Sequence, residues 1–509
     1  MTSPMIKTLQ LATKDRERLE EVIGVAARFG LDALLAQIGL QRGSAPGEDA
    51  PADPLARRTR LALEALGPTF VKLGQIMATR SDLLSPEWIA ELEMLHSSAP
   101  TLPFEDLRPL VEKALGEPVD SAFASFDSEP LAAASMAQVH RAVTHDGNPV
   151  VLKIRRPGIR PVIEADLRLI AHLAGLAEKA SAQAQRFAPA AMVRQLAAAM
   201  LEELDFTNEG RNADRLREDF RRNPKVVIPA IYWQWTTETL LVMDFVAGIP
   251  PRDAEALVSA GISPSGIAAL GSEMVLDMVL VNGRFHGDPH PGNLLCLPGD
   301  RIALLDLGMI GHVSPRRREE FMSFVQALVN GNPALLADVL MRWSDTRTVL
   351  AERVMIAAEA LIARHGSGRL VLADMVADFF ALIRDEGMTL PPDLLLIFKA
   401  LITMDGVLAR IQPGFDLTDA MRGSALRIAR ERLSPDHWSP ILQAVAWELI
   451  KIGDDAPRLI RAAIRRLEGE PNPVASPAPG PAKAPEDVRW VAAAIVAGAM
   501  VIALALRLN

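Results

Sequence analysis

Asp288, Asn293 and Asp306 are the side chains whose types and spacing best suit a divalent cation in this sequence. The first two lie in FHGDPHPGNLL, Phe285 to Leu295, where an aspartate, an asparagine, two prolines and two histidines crowd a turn before a short apolar run. Asp306 follows in RIALLDLGMI, Arg301 to Ile310, an apolar strand pattern that delivers a carboxylate just ahead of a glycine. Oxygen ligands of this kind suit Mg²⁺, which is held by one or two carboxylates together with substrate phosphates. The expected chemistry is therefore that of a Mg²⁺–nucleotide site.

Such a site needs a cation for the phosphates and elements to carry it. PVVLKIRRPG, Pro149 to Gly158, follows the turn signal HDGNP and sets Lys153 in a strand of alternating apolar residues. The lysine is either an edge-strand charge or a residue aimed into a cleft. PLAAASMAQVHRA, Pro130 to Ala142, favours the cleft, because it resembles the strand-turn-strand that covers nucleotide phosphates in kinases. Alanines and a serine stand where glycines usually allow close backbone approach, which predicts a stiffer loop. LEELDFTNEGRN, Leu201 to Asn212, lies on a helical stretch and offers Glu203, Asp205 and Glu209. One of these carboxylates is expected to pair with Lys153; the plainer reading is a solvated charged face. TLLVMDFVAGIP, Thr239 to Pro250, reads as a strand entering a Gly/Pro turn, like a hinge between lobes. Asp288 and Asn293 then match the D-x-x-x-x-N spacing of a phosphotransferase catalytic loop, and Asp306-Leu307-Gly308 stands for the metal-binding D-F-G.

Other residues read as structural. His286 and His290 are close enough to suggest zinc, yet no third ligand with suitable spacing is near and the turn accounts for both. Cys296 reads as a small buried hydrophobe. IYWQW, Ile231 to Trp235, holds the only tyrosine and reads as the packed face of a hairpin.

The 509 residues exceed one typical domain, and a hydrophobic share of 49 % permits a large core. A net charge of −9 argues against a nucleic-acid partner, which calls for a basic face. One cysteine permits no internal disulfide and suits a reducing compartment. The N-terminus lacks the continuous apolar stretch of a secretory signal. Near the other end, an unbroken apolar run from Trp490 to Leu506 lies between Arg489 and Arg507. As a helix it spans roughly 25 Å at ~1.5 Å per residue, just short of a ~30 Å hydrocarbon core. A single membrane anchor is the expectation, with Trp490 at headgroup level and Arg507 snorkelling.

The expected organisation is an N-terminal helical segment (1–40), a linker (41–54), a helical extension (55–120) and a strand-bearing lobe (121–250). A helical lobe with the catalytic and metal loops (251–468), a Pro/Ala tether (469–488) and the membrane anchor (489–509) complete it. From about Pro315 to Leu467 the apolar spacing is almost wholly helical.

LGPTFVKLGQIMATRSDLLSPEW, Leu66 to Trp88, adds the most specific signal. With the motifs above it resembles the UbiB/AarF family of atypical protein-kinase-like proteins, whose K-x-G-Q helix is here Lys72, Gly74 and Gln75. The similarity runs from about Leu61 to Pro315, with a looser helical continuation. It implies an α+β, bilobal protein-kinase-like fold with an N-terminal K-x-G-Q extension, a large helical C-lobe and a C-terminal transmembrane helix. It implies that Ala132, Ala133, Ala134 and Ser135 form the phosphate loop and that Lys153 contacts the α/β-phosphates. Glu203 would pair with Lys153, Glu209 would support the K-x-G-Q segment containing Lys72 and Gln75, and Asn293 and Asp306 would hold Mg²⁺. Asp288 takes the catalytic-base position, although the K-x-G-Q helix of this family is thought to cover the place of a peptide substrate. Two local departures from the kinase pattern are Gly210 after Glu209, where alanine is usual, and Gly287 in place of the arginine that reads a phosphorylated activation loop.

The implied activity is Mg–ATP binding with hydrolysis, using ATP/ADP and Mg²⁺, in support of ubiquinone biosynthesis. The implied setting is the cytoplasmic side of the cell inner membrane, with membrane lipids and ubiquinone-pathway lipids or proteins as partners. Two other readings stay open: a small-molecule phosphotransferase of the aminoglycoside-kinase kind, and a non-catalytic nucleotide-binding regulator.

Overall fold

Gly67, at φ 99°, turns the chain sharply between two short helices and so starts the arrangement that carries Lys72. The computed structural model describes residues 13–30 and 53–417, apart from 79, 81–83, 96–99, 181–188, 344–349, 366–371, 387, 389 and 416. These residues fall within one compact unit, Met1–Arg430. The Pro/Ala tether, the apolar run from Trp490 to Leu506 and most of the 41–54 linker lie outside the described residues.

The extension is built from α1 (Thr13–Arg28), α2 (Leu55–Leu66), α3 (Pro68–Ala78), α4 (Pro86–Glu93) and α5 (Phe104–Leu115). Pro68 and Pro86 open their helices, where the missing N–H costs nothing. Gly74 on α3 is required by packing: a Cβ there would run into Leu95 and Leu63. Asp166, fully buried, ties the extension together. It accepts from Arg18 Nε of α1 at 2.6 Å and from Thr69 Oγ1 of α3 at 2.7 Å.

The strand lobe comprises β1 (Ser125–Phe126), β2 (Ala132–Ala133), β3 (Ala137–Val143) and β4 (Pro149–Arg155). It continues through a long helix, α6 (Ile159–Ala180), then α7 (Pro189–Glu203), α8 (Phe206–Asp219), β5 (Val226–Val227) and β6 (Leu240–Asp244). The main sheet is antiparallel in the order β1-β3-β4-β6, with β2 on the edge of β3. Because side chains alternate along a strand, Val150, Leu152 and Ile154 of β4 share one face and pack into a core with Phe104, Leu107 and Val111 of α5. Val151 and Lys153 take the other face, and the ammonium of Lys153 lies 5.5 Å from the Phe206 ring centroid. Tyr232 and Trp235 pack on the core shared with α5, whereas Trp233 is exposed, so only part of IYWQW is the packed face expected.

The helical lobe begins with α9 (Ala254–Ser259) and α10 (Pro264–Leu276), which runs into a π-helical turn, Asp277–Asn282, ended by Gly283 at φ 67°. The stretch Pro264–Asn282 is long and apolar enough to cross a membrane, but it is mostly buried and serves as the core helix of this lobe. Four short strands follow: β7 (Arg284–His286), β8 (Leu294–Leu297), β9 (Arg301–Leu304) and β10 (Ile310–His312). Antiparallel pairings β7–β10 and β8–β9 hold the two loops of interest between them. The helices α11 (Pro315–Val329), α12 (Pro333–Trp343), α13 (Ala351–His365), α14 (Leu372–Asp385) and α15 (Pro392–Ile411) complete the lobe. The helical expectation beyond Pro315 holds as far as the described residues reach. Phe321, Phe324, Trp343, Phe379 and Phe398 pack together at its centre, several of them edge to face.

Candidate active site

Lys153 is the centre of the site. Its Nζ lies 2.8 Å from Glu209 Oε2, 3.1 Å from Glu209 Oε1 and 2.9 Å from Asp306 Oδ1. One ammonium thus joins the strand lobe, α8 and the loop after β9. Burial works against the charge on Lys153, but the Asp306 and Glu209 carboxylates outweigh it and hold the ammonium above the ordinary lysine range. The field of Lys153 in turn holds Asp306 well below the usual carboxylate range, against the opposing effect of burial. Burial raises Glu209, and Lys153 offsets part of that rise.

The expected partners are exchanged. The resemblance pairs Glu203 with Lys153 and Glu209 with the K-x-G-Q segment; instead Glu209 binds Lys153, and Glu203 Oε2 lies 2.6 Å from Lys72 Nζ. The cause is a break in LEELDFTNEGRN, which is not one helix. Asp205 has extended backbone and caps α8, accepting from Thr207 N at 2.9 Å. Glu203 therefore ends α7 and points to α3, whereas Glu209 lies on the buried face of α8 with Asn212, Ala213 and Leu216. Gly210 is also explained: a Cβ would approach the Trp233 ring to 2.9 Å, so the residue is set by close packing rather than being a mild loss of helix propensity.

The loop before β8 is wired through backbone. His286, buried, accepts at Nδ1 from Asp288 N at 3.1 Å, so its proton sits on Nε2, which faces Leu305 O at 3.0 Å. Burial lowers its pKa and keeps the ring neutral, so both nitrogens serve the loop. Asn293 donates from Nδ2 to Asp288 O at 3.1 Å, and Leu305 N donates to Asn293 O at 2.8 Å. The amide nitrogen being committed, Oδ1 is the atom of Asn293 left to ligate a metal. Asp306 follows directly, with φ 50°, a conformation aspartate tolerates better than most residues. Asn212 Nδ2 bonds Leu307 O at 3.1 Å and so fixes this turn to α8. The carboxylate of Asp306 and the amide oxygen of Asn293 are hard donors that fit Mg²⁺.

Asp288 Oδ1 lies 3.3 Å from Lys399 Nζ of α15, and Oδ2 lies 4.0 Å from His290 Nε2. Gln75, one turn beyond Lys72, donates to Leu95 O at 3.1 Å and secures α3 to the segment after α4. Ala132 and Ala133 form β2 and pair with Val139 and Gln138, and Ser135 lies at the turn. Gly287 has Met309 against it, at 2.9 Å from an ideal Cβ, so a larger side chain there would have to displace Met309. Cys296 is buried in the helical-lobe core and its thiol is pushed up to about 12 by burial. Asn212, Lys399 and the positioning role of His286 were not foreseen. Asn212 had a signal, since it falls three residues after Glu209 on the same helix face.

Residues 94–340 match the model of the ABC1 atypical kinase-like domain, and residues 368–416 match the UbiB helical domain. The chain is 32 % identical over 468 residues to the probable protein kinase UbiB of Marinobacter nauticus, covering 89 % of this chain and 85 % of that one. It is 34 % identical over 390 residues to the protein of the same name from Azotobacter vinelandii, covering 75 % and 73 % of the two chains. Among solved structures, the Rv3197–erythromycin complex of Mycobacterium tuberculosis superposes with a TM-score of 0.51 at 20 % identity, covering 78 % of this chain and 94 % of that one. That likeness is one of fold.

Proposed function

The chain belongs to the UbiB family of ABC1 atypical kinase-like proteins, and from this premise we propose that it binds Mg²⁺·ATP and hydrolyses it in support of ubiquinone biosynthesis at a membrane. The observation that carries the nucleotide reading is the Lys153 ammonium held between Glu209 and Asp306. Glu209 orients the ammonium toward the α/β-phosphates. Asn293 Oδ1 and Asp306 would hold Mg²⁺, which neutralises phosphate charge when bound. The Ala132–Ser135 hairpin covers the phosphates.

Hydrolysis, rather than transfer to a peptide, is supported at the acceptor side. Asp288, the residue at the catalytic-base position, is engaged by Lys399 from the helical domain. The Lys72–Glu203 pair brings α3 close enough for Lys72 to act on the charge of Asp306. An open cleft for a bulky acceptor, as a small-molecule phosphotransferase requires, fits poorly with this arrangement.

The test is ATP turnover by the purified full chain with and without liposomes, beside Asp306→Asn. Wild-type protein is expected to release phosphate in a Mg²⁺-dependent manner and faster with membranes. Asp306→Asn should keep the fold and lose Mg²⁺-dependent stabilisation by ATP in a thermal-shift titration. Equal nucleotide affinity in the two proteins would reject the metal assignment.

A further inference from the structure

The tip of the alanine-rich hairpin is built into the helical extension. Ala134 N donates to Ala137 O at 2.8 Å, so Ser135 and Met136 alone make the turn. Met136 is only 7 % exposed and lies in one apolar cluster with Leu19 of α1, Leu66 of α2, Phe70 of α3, Ile163 of α6 and Leu196 of α7. Behind the turn, Arg156 donates from Nε to Ala134 O at 2.9 Å and from Nη2 to Pro100 O at 2.7 Å. Its backbone N–H also donates to Met136 O at 2.9 Å. On β3, the buried side chain of Gln138 exchanges two bonds with Leu102: Leu102 N donates to Oε1 at 2.8 Å, and Nε2 donates to Leu102 O at 2.9 Å. Pro100 and Leu102 belong to the extension itself, in the segment that leads into α5.

We propose that Arg156 and Met136 are positioning residues that make the phosphate loop a part of the helical extension, so that the extension sets how the loop grips nucleotide phosphates. A glycine-rich loop attached only through its two strands can close on a nucleotide independently. This one is held at its tip by a buried side chain and at its neck by a charged guanidinium shared between two carbonyls, the stronger class of hydrogen bond. Any displacement of α3 is carried to residues 132–136 through these contacts. The grip on phosphate rests on the nucleotide reading above; the attachment itself does not.

The experiment uses the full chain as wild type, Arg156→Ala, Arg156→Lys and Met136→Ala. Hydrogen exchange is first followed without nucleotide. Arg156→Ala should speed exchange by about tenfold in residues 131–138 and also in 100–104, with α11–α15 unchanged. Met136→Ala should loosen 131–138 together with α3. Steady-state turnover then separates positioning from general damage. Arg156→Ala should raise the KM for Mg·ATP about tenfold with kcat within about threefold, and Arg156→Lys should recover part of the loss, since one ammonium can serve one of the two carbonyls. Faster exchange confined to 131–138 would refute the attachment. Equal losses of KM and kcat in Arg156→Ala and Arg156→Lys, tracking lower thermal stability, would refute the positioning role. If exchange changes as expected but wild-type protein binds no Mg·ATP, the attachment stands and the nucleotide reading fails.

Discussion

The two glutamates differ in what they hold, and the difference is measurable. Glu209→Gln removes the charge that orients Lys153 and should weaken Mg·ATP binding about tenfold, or about 1.4 kcal/mol, in a calorimetric titration. Glu203→Gln should change nucleotide affinity less, because its partner is Lys72; the reverse ranking would restore the pairing that the resemblance implies. The pH dependence follows from Asp306. Its pKa is depressed by Lys153, so the pair stabilises the protein at neutral pH and that stabilisation is lost as pH falls through and below the ordinary carboxylate range. The difference in melting temperature between wild type and Asp306→Asn should therefore narrow between about pH 5 and pH 2. A constant difference would show that the ion pair contributes nothing.

At the scale of elements, the strand carrying Lys153, the hinge strand and the loops bearing Asp288, Asn293 and Asp306 were legible. Each is a local pattern: alternation for β4, turn residues around His286 to Gly292, an apolar run ending at Asp306. The break at Asp205 was not, because Leu201–Asn212 reads as one helix on propensity. The cap competes only through a side-chain bond to Thr207 that spacing does not announce. Asp205→Ala should lower stability by about 1 kcal/mol in urea unfolding and let Glu203 drift from Lys72. Gly74 was read as a motif letter, whereas the structure gives it a packing reason. Gly74→Ala should cost about 1–3 kcal/mol by overpacking against Leu63 and Leu95, checked in the same assay. An unaltered midpoint would mean that α3 moves freely enough to absorb a methyl group.

For the whole molecule, the sequence indicated two lobes and a helical extension but could not show how they are joined, since the joints are long-range pairs such as Arg18–Asp166 and Lys153–Asp306. The proposed anchor can be tested directly: a chain ending at Glu468 should be released from membranes by alkaline carbonate, while the full chain stays with them. Identical partitioning would remove the anchor from the account. The Lys153 ammonium already occupies the Asp306 carboxylate. A magnesium ion that takes this carboxylate has to push an ammonium aside, which makes the bare ion a poor visitor. A triphosphate arriving with the ion would offer the displaced ammonium a new anion, so the two together would bind where the bare ion is resisted. On the proposed nucleotide reading, the site would act as a coincidence detector for metal and phosphate.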